Sequence, residues 1–206
     1  MLKREYEIIR PFAEKTWRKF TFKEIKLYSR KKSESYVFNI LKKFVKLKVL
    51  NEQKAGNVVL YSLDIDSEKA LIYAGMIAEY LSWGKKHIPH AEIEQLMHKI
   101  PTDFFVLLVT GSYASGKQAK NSDLDAVIIC DDSLEPKRIY AELKHQTEIS
   151  IPPIHLYVFR RNEFVKMLAD KEANYGKETA RNNLVISGGK IYYKIMAEVV
   201  KNGFNG

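Results

Sequence analysis

Cysteine is almost missing from this chain. The one present, Cys130, cannot form an internal bridge, which excludes a disulfide-stapled secreted scaffold. Long apolar runs are missing too. The best membrane candidate, residues 70–83, is too short to span a bilayer and carries Glu79. The N-terminus shows no apolar core followed by a small-residue cleavage site, which argues against secretion. Proline and glycine are sparse, 6 and 10 among 206 residues, and no repeat or low-complexity tract appears. With 46% hydrophobic and 29% charged residues, the chain has the apolar content for one large domain or two small ones. A cytoplasmic protein with no membrane partner is the expectation.

Acidic residues are the scarcer sign of charge, 25 against 34 Lys and Arg, giving a net charge of +9. The deficit is uneven. Residues 1–66 hold 16 basic and 8 acidic side chains, a balance of +8, whereas residues 67–206 hold 18 and 17, a balance of +1. A segment so charged seeks a polyanion, with nucleic acid the leading candidate.

The first 66 residues read as three helices and a hairpin. Tyr6, Ile9, Phe12 and Ala13 recur at helical spacing from Lys3 to about residue 14. Thr21 caps a short second helix, and Ser33 caps a third with a buried stripe of Val37, Ile40, Leu41 and Phe44. The outer face of that third helix carries Ser35, Tyr36, Asn39, Lys42, Lys43 and Lys46. Strands over 49–53 and 58–63 flank a four-residue connection that includes Lys54. This order resembles the winged helix-turn-helix domains of archaeal and bacterial transcription regulators. The resemblance implies that the third helix enters the DNA major groove while the basic hairpin touches backbone.

Residues 67–83 form a further helix, apolar around much of its circumference, which must be buried between domains or against another subunit such as a second copy or a small helical partner. Residues 84–89 break it, so the expected division is 1–66, a connecting helix and hinge over 67–89, and 90–206. His87, His90 and His98 do not make a metal site. Only the first two are close, and neither Cys nor a carboxylate pair joins them. The second half alternates helices (91–100, 135–144, 162–169, 190–201) with strands (104–110, 124–130, 154–159, 184–186). The fold class is α/β (α+β) with a small mixed sheet.

Between the first two of those strands stand Gly111-Ser112, ten residues, then Asp123-Leu124-Asp125. Gly111 has no Cβ and lets backbone approach a ligand closely, and Ser112 adds a hydroxyl and an N–H suited to phosphate oxygens. Asp123 and Asp125, two apart on a strand, project from one face and repel unless a cation such as Mg²⁺ neutralises them. This stretch, with Gly111-Ser112-Tyr113-Ala114-Ser115-Gly116 and Asn121-Ser122-Asp123-Leu124-Asp125, resembles the DNA polymerase β-like nucleotidyltransferase superfamily. It looks most like the minimal nucleotidyltransferases of prokaryotes, a group that includes antibiotic-modifying enzymes and toxin–antitoxin components.

The resemblance implies transfer of a nucleoside monophosphate from an NTP to an acceptor hydroxyl. Asp123 and Asp125 would be the catalytic and metal-holding pair for Mg²⁺ or Mn²⁺, and Gly111 and Ser112 the phosphate cradle. Lys117 and Lys120 are candidates for neutralising further phosphate charge. Members of the family usually present a third carboxylate on a later strand. Here His155 occupies the expected position, with Glu148 as the nearest substitute. The alternative is therefore a winged-helix regulator whose second domain is a degenerate nucleotide sensor, or an antitoxin-like interaction protein.

Overall fold

The computed structural model describes residues 4–206, so Lys3, the expected start of the first helix, lies outside the described residues. The N-terminal unit contains α1 (Tyr6–Glu14), β1 (Phe20–Thr21), α2 (Phe22–Ser29), α3 (Glu34–Lys46), β2 (Leu50–Ala55) and β3 (Val58–Leu63). Local chemistry sets these boundaries. Thr21 Oγ1 accepts from the Glu24 N–H at 3.3 Å while Glu24 Oε2 accepts from the Thr21 N–H at 2.8 Å, a reciprocal cap on α2. Ser33 accepts from the Tyr36 N–H and starts α3. Strands pair antiparallel in the order β1-β3-β2. The hairpin is tighter than expected. Ala55 pairs with Val58, so Gly56 and Asn57 alone form the turn and Lys54 belongs to the strand.

Next comes α4 (Glu68–Trp83), capped by Ser67, followed by α5 (His90–Lys99). A second sheet follows, built from β4 (Phe105–Thr110), β5 (Leu124–Cys130), β6 (Ile154–Arg160) and β7 (Asn183–Ser187) in the order β6-β5-β4-β7. Strand β4 runs antiparallel to β5 and β7, and β5 runs parallel to β6, so the sheet is mixed as expected. The one-turn helix α6 (Gly111–Ser115) links β4 towards β5, and α7 (Pro136–Ile149) makes the β5–β6 crossover. After β6 come α8 (Arg161–Ala169) and α9 (Tyr175–Arg181), and α10 (Gly189–Lys201) closes the chain after β7.

Alternation along the strands separates two layers of core. Leu107, Val109, Ala126 and Ile128 face Ile93, Leu96, Ile139 and Leu143 of α5 and α7. Val106, Leu108, Val127 and Ile129 face the opposite layer, which includes Phe164 of α8 and Ile195, Met196 and Val199 of α10. That second layer continues through Ala70, Leu71, Ala74 and Ile77 of α4 to Ile8, Ile9 and Phe12 of α1, so one apolar cluster runs from the N-terminal unit into the sheet. These contacts account for the buried face of α4. A β-carbon on Gly75 would come 2.6 Å from Gly189 backbone, so these two glycines let α4 and α10 touch at backbone distance. No helix among the described residues is long and apolar enough to cross a membrane.

Candidate functional site

The sheet ends at a turn that is pressed against an acid. Gly111 follows β4 with φ +65°, a left-handed conformation that L side chains rarely adopt. A β-carbon there would overlap Asp125 Oδ2 and stand 3.2 Å from its Cγ. The structure thus brings Gly111 of the Gly-Ser turn against Asp125 of the acidic pair. The turn is braced by Asn182, the residue that follows α9. Asn182 Nδ2 donates to the Gly111 carbonyl at 2.9 Å, and Thr110 Oγ1 donates to the Asn182 carbonyl at 3.0 Å. Ser115 Oγ donates back to the carbonyls of Gly111 and Ser112, and the Lys117 N–H closes the segment on the Ser112 carbonyl.

The acidic pair differs from expectation in one respect. Asp123 is exposed and precedes β5, which starts at Leu124; only Asp125 is on the strand. The chain enters the ladder where the Leu124 N–H bonds the Pro153 carbonyl, one residue too late to include Asp123. The two acids still feel each other. Burial pushes the Asp125 carboxyl above its ordinary value; His155 pulls it back, and the carboxylates of Asp123 and Glu178 push it up further.

His155 pairs with Asp125 across the parallel β5–β6 ladder, and its Nδ1 lies 3.4 Å from Asp125 Oδ1. It therefore stands beside the acid where a third carboxylate was sought. Glu148 does not replace it. That residue lies near the end of α7, on the opposite layer of the sheet from Asp125, and faces Lys144 at 3.8 Å. Sequence reasoning missed Glu178 and Asn182 because it missed α9. The available signal was Asn174, whose side chain accepts from the Lys177 N–H and caps that helix. An aromatic wall went unseen as well. On the Asp125 face of β6, the Tyr157 ring packs at a tilt against His155 at 4.6 Å and against Tyr175 of α9 at 4.3 Å, with Phe159 beyond. Burial holds the Tyr175 phenol well above its ordinary value.

Among the described residues, no group of three or more His, Cys, Asp or Glu is arranged to hold a metal ion. What the cleft offers is two nearby carboxylates with a third, Glu178, close enough to be felt. That donor set fits a hard cation arriving with further oxygen ligands of its own, as a divalent ion chelated by a polyphosphate does. Lys117 and Lys120 are exposed in the loop between α6 and β5 and form no ion pair among the described residues.

On the N-terminal unit, Ser35, Tyr36, Asn39, Lys42, Lys43 and Lys46 are exposed along α3, and Lys54 is exposed on β2. Two of those cations have partners: Lys42 pairs with Glu52 at 2.8 Å and Lys43 with Glu5 at 2.7 Å.

Residues 92–179 match the family model described as "Nucleotidyltransferase domain", a span from α5 to α9 that holds Gly111, Ser112, Asp123, Asp125, His155 and Glu178. This part of the chain is similar to nucleotidyltransferase domains, and it is built on a mixed α/β fold. The solved structure titled "Crystal structure of the toxin-antitoxin with AMP-PNP" is similar at 13% identity and a TM-score of 0.40, over 56% of this chain and 88% of that one. No curated protein matches the chain.

Proposed function

We propose that the chain transfers a nucleoside monophosphate from an NTP to an acceptor hydroxyl. The observation that carries this reading is the contact of Gly111 backbone with the Asp125 carboxylate inside a span similar to nucleotidyltransferase domains. Asp123 and Asp125 hold the cation, Mg²⁺ or Mn²⁺, which when bound supplies charge stabilisation at the attacking and leaving oxygens. The turn at Gly111 and Ser112 takes the β- and γ-phosphates, fixed in place by Asn182. Lys117 and Lys120 neutralise the remaining phosphate charge, and the wall of Tyr157 and Tyr175 provides a stacking surface for the base.

Residues 1–66 act as a DNA-binding winged helix, with α3 as the reading helix and the β2–β3 hairpin as the wing. The order of elements and the exposed Ser35, Tyr36, Asn39, Lys46 and Lys54 support this. The test is incubation with labelled NTPs, Mg²⁺ or Mn²⁺ and candidate acceptors. Label transfer is expected from the native chain and not from Asp123→Asn/Asp125→Asn protein; transfer that persists in the double variant overturns the site assignment.

One observation favours a second reading. His155 adds no negative charge beside Asp125 and is a poor Mg²⁺ ligand. A domain that binds nucleotide without transferring it would make the chain a nucleotide-sensing regulator, distinguished by Mg-NTP binding with no label transfer. Ile72, Met76 and Tyr80 leave an apolar stripe exposed on α4, the surface on which a second copy or a small helical partner would dock in an antitoxin-like role.

A further inference from the structure

A cavity of about 270 Å³ opens between the end of α1, α4, β7 and α10, and neither Gly111 nor Asp125 lines it. Four cations do, Arg10, Lys15, Lys85 and Arg181, against one acid, Glu14. Their charges are poorly answered. Arg10 pairs with Glu14 at 3.5 Å and donates to the Tyr28 carbonyl at 3.3 Å, while its Nε is buried without a hydrogen bond. Arg181 donates to an oxygen of Gly206, the last residue of the sequence, and among the described residues pairs with no Asp or Glu side chain. Among the described residues, Lys15 and Lys85 form no ion pair at all. Like charges gathered around a concave space repel one another until an anion enters.

We propose that this cavity is a second ligand site, taking a small phosphate-bearing anion no larger than a mononucleotide, and that its occupant acts as an effector of the Gly111–Asp125 cleft. The wall between the two spaces is shared. Asn182 lines the cavity next to Arg181, and the same Asn182 holds the Gly111 carbonyl through its side chain and Thr110 through its backbone. Ala114 of α6 lines it as well. An anion gripped by Arg181 therefore stiffens the segment that positions the turn. Because Arg10, Lys15 and Trp17 come from the N-terminal unit, the same anion also bridges that unit to the sheet. Binding does not depend on what the cleft does; the effector role rests on the nucleotide reading above, and the coupling must be reciprocal.

Trp17 lines the cavity and the chain has only 2 Trp, so Trp83→Phe protein reports the site by fluorescence. Inorganic pyrophosphate and adenosine monophosphate are titrated separately without divalent metal. A saturable Trp17 response is expected, weakened about tenfold by each of Lys85→Ala and Arg181→Ala, both exposed positions, and unchanged by Asp125→Asn. A response to pyrophosphate alone assigns the site to phosphate groups, and a tighter response to the monophosphate adds the nucleoside.

No saturable response to either probe overturns the site, as does a response lost in Asp125→Asn but kept in the two cation variants. Trp83 donates to the Ile186 carbonyl, and should its replacement unfold the protein, calorimetry on the native tryptophan background makes the same comparison. Saturating probe is expected to change Mg-NTP affinity, and an unchanged affinity overturns the effector role. A native chain that fails to bind Mg-NTP yet keeps the Trp17 response removes the nucleotide reading and leaves the cavity standing.

Discussion

Gly111→Ala separates the two things that the turn does. The substitution keeps φ at +65°, where an L residue costs about 1–2 kcal/mol. In a chain of this size that lowers Tm by roughly 2–8 °C. The steric cost is of another kind. The new methyl would overlap Asp125 Oδ2, but that oxygen ends a side chain that can rotate, and Cγ at 3.2 Å and Cβ at 3.5 Å need shift little. Folding therefore survives, while the carboxylate swings aside by about 1 Å, a displacement that at a reacting centre costs roughly a hundredfold. Thermal unfolding and calorimetric titration with Mg-NTP on the same preparation give both quantities. The expected pattern is a modest loss of Tm with nucleotide affinity or transfer down by about two orders of magnitude. A variant that unfolds a few degrees early yet binds and transfers like the parent would refute the reasoning, because Asp125 would then not need the position it has.

Three further outcomes follow from the same geometry. Burial raises the Asp125 carboxyl above its ordinary 3.8, so the folded chain holds more protons than the unfolded one between that value and the raised one. Stability falls as pH rises through this window, and the penalty is complete at neutral pH; metal-free Asp125→Asn should therefore have a higher Tm than the parent at pH 7 and lose that advantage in acid, as a pH series of melting curves would reveal. His155→Asp places a carboxylate beside Asp125 and should tighten Mg²⁺ binding by about tenfold in calorimetry while lowering metal-free Tm; unchanged Mg²⁺ affinity would mean that this position does not face the cation. Glu52→Gln frees Lys42 and should strengthen DNA binding and steepen its salt dependence by about one unit, measured by anisotropy across a salt series.

What the sequence made legible was whatever a few neighbouring residues decide. Thr21 and Ser33 cap helices with side chains that reach only three residues onward, so these caps could be read from the string. The apolar runs of β4 and β5 were equally plain, because strands buried on both faces show no alternation. The hairpin was less plain: Lys54 and Ala55 look like turn residues, yet their backbone keeps pairing with Val59 and Val58. Helix α9 escaped because seven residues containing Gly176 carry little periodic signal. With it went Glu178, Asn182 and Tyr175, whose places depend on contacts from far along the chain. The Gly111 and Asp125 half of the cleft was written in spacing, whereas its bracing and its aromatic wall were written in tertiary packing.

Net charge in the string also differs from charge that is available in the fold. Six glutamates of the N-terminal unit, Glu5, Glu7, Glu14, Glu24, Glu34 and Glu52, each face a lysine or arginine of the same unit. Lys42 and Lys43, on the outer face of α3, are among those engaged. Exposed pairs of this kind are worth about 0–1 kcal/mol, so phosphate can compete for them, though at a discount that Lys46, Lys48 and Lys54 do not suffer. Those three lie at the C-terminal end of α3, just past it, and on β2. These three cations, without an acidic partner among the described residues, thus lie toward the hairpin rather than in the middle of the third helix. The hairpin is where the proposed wing would meet backbone.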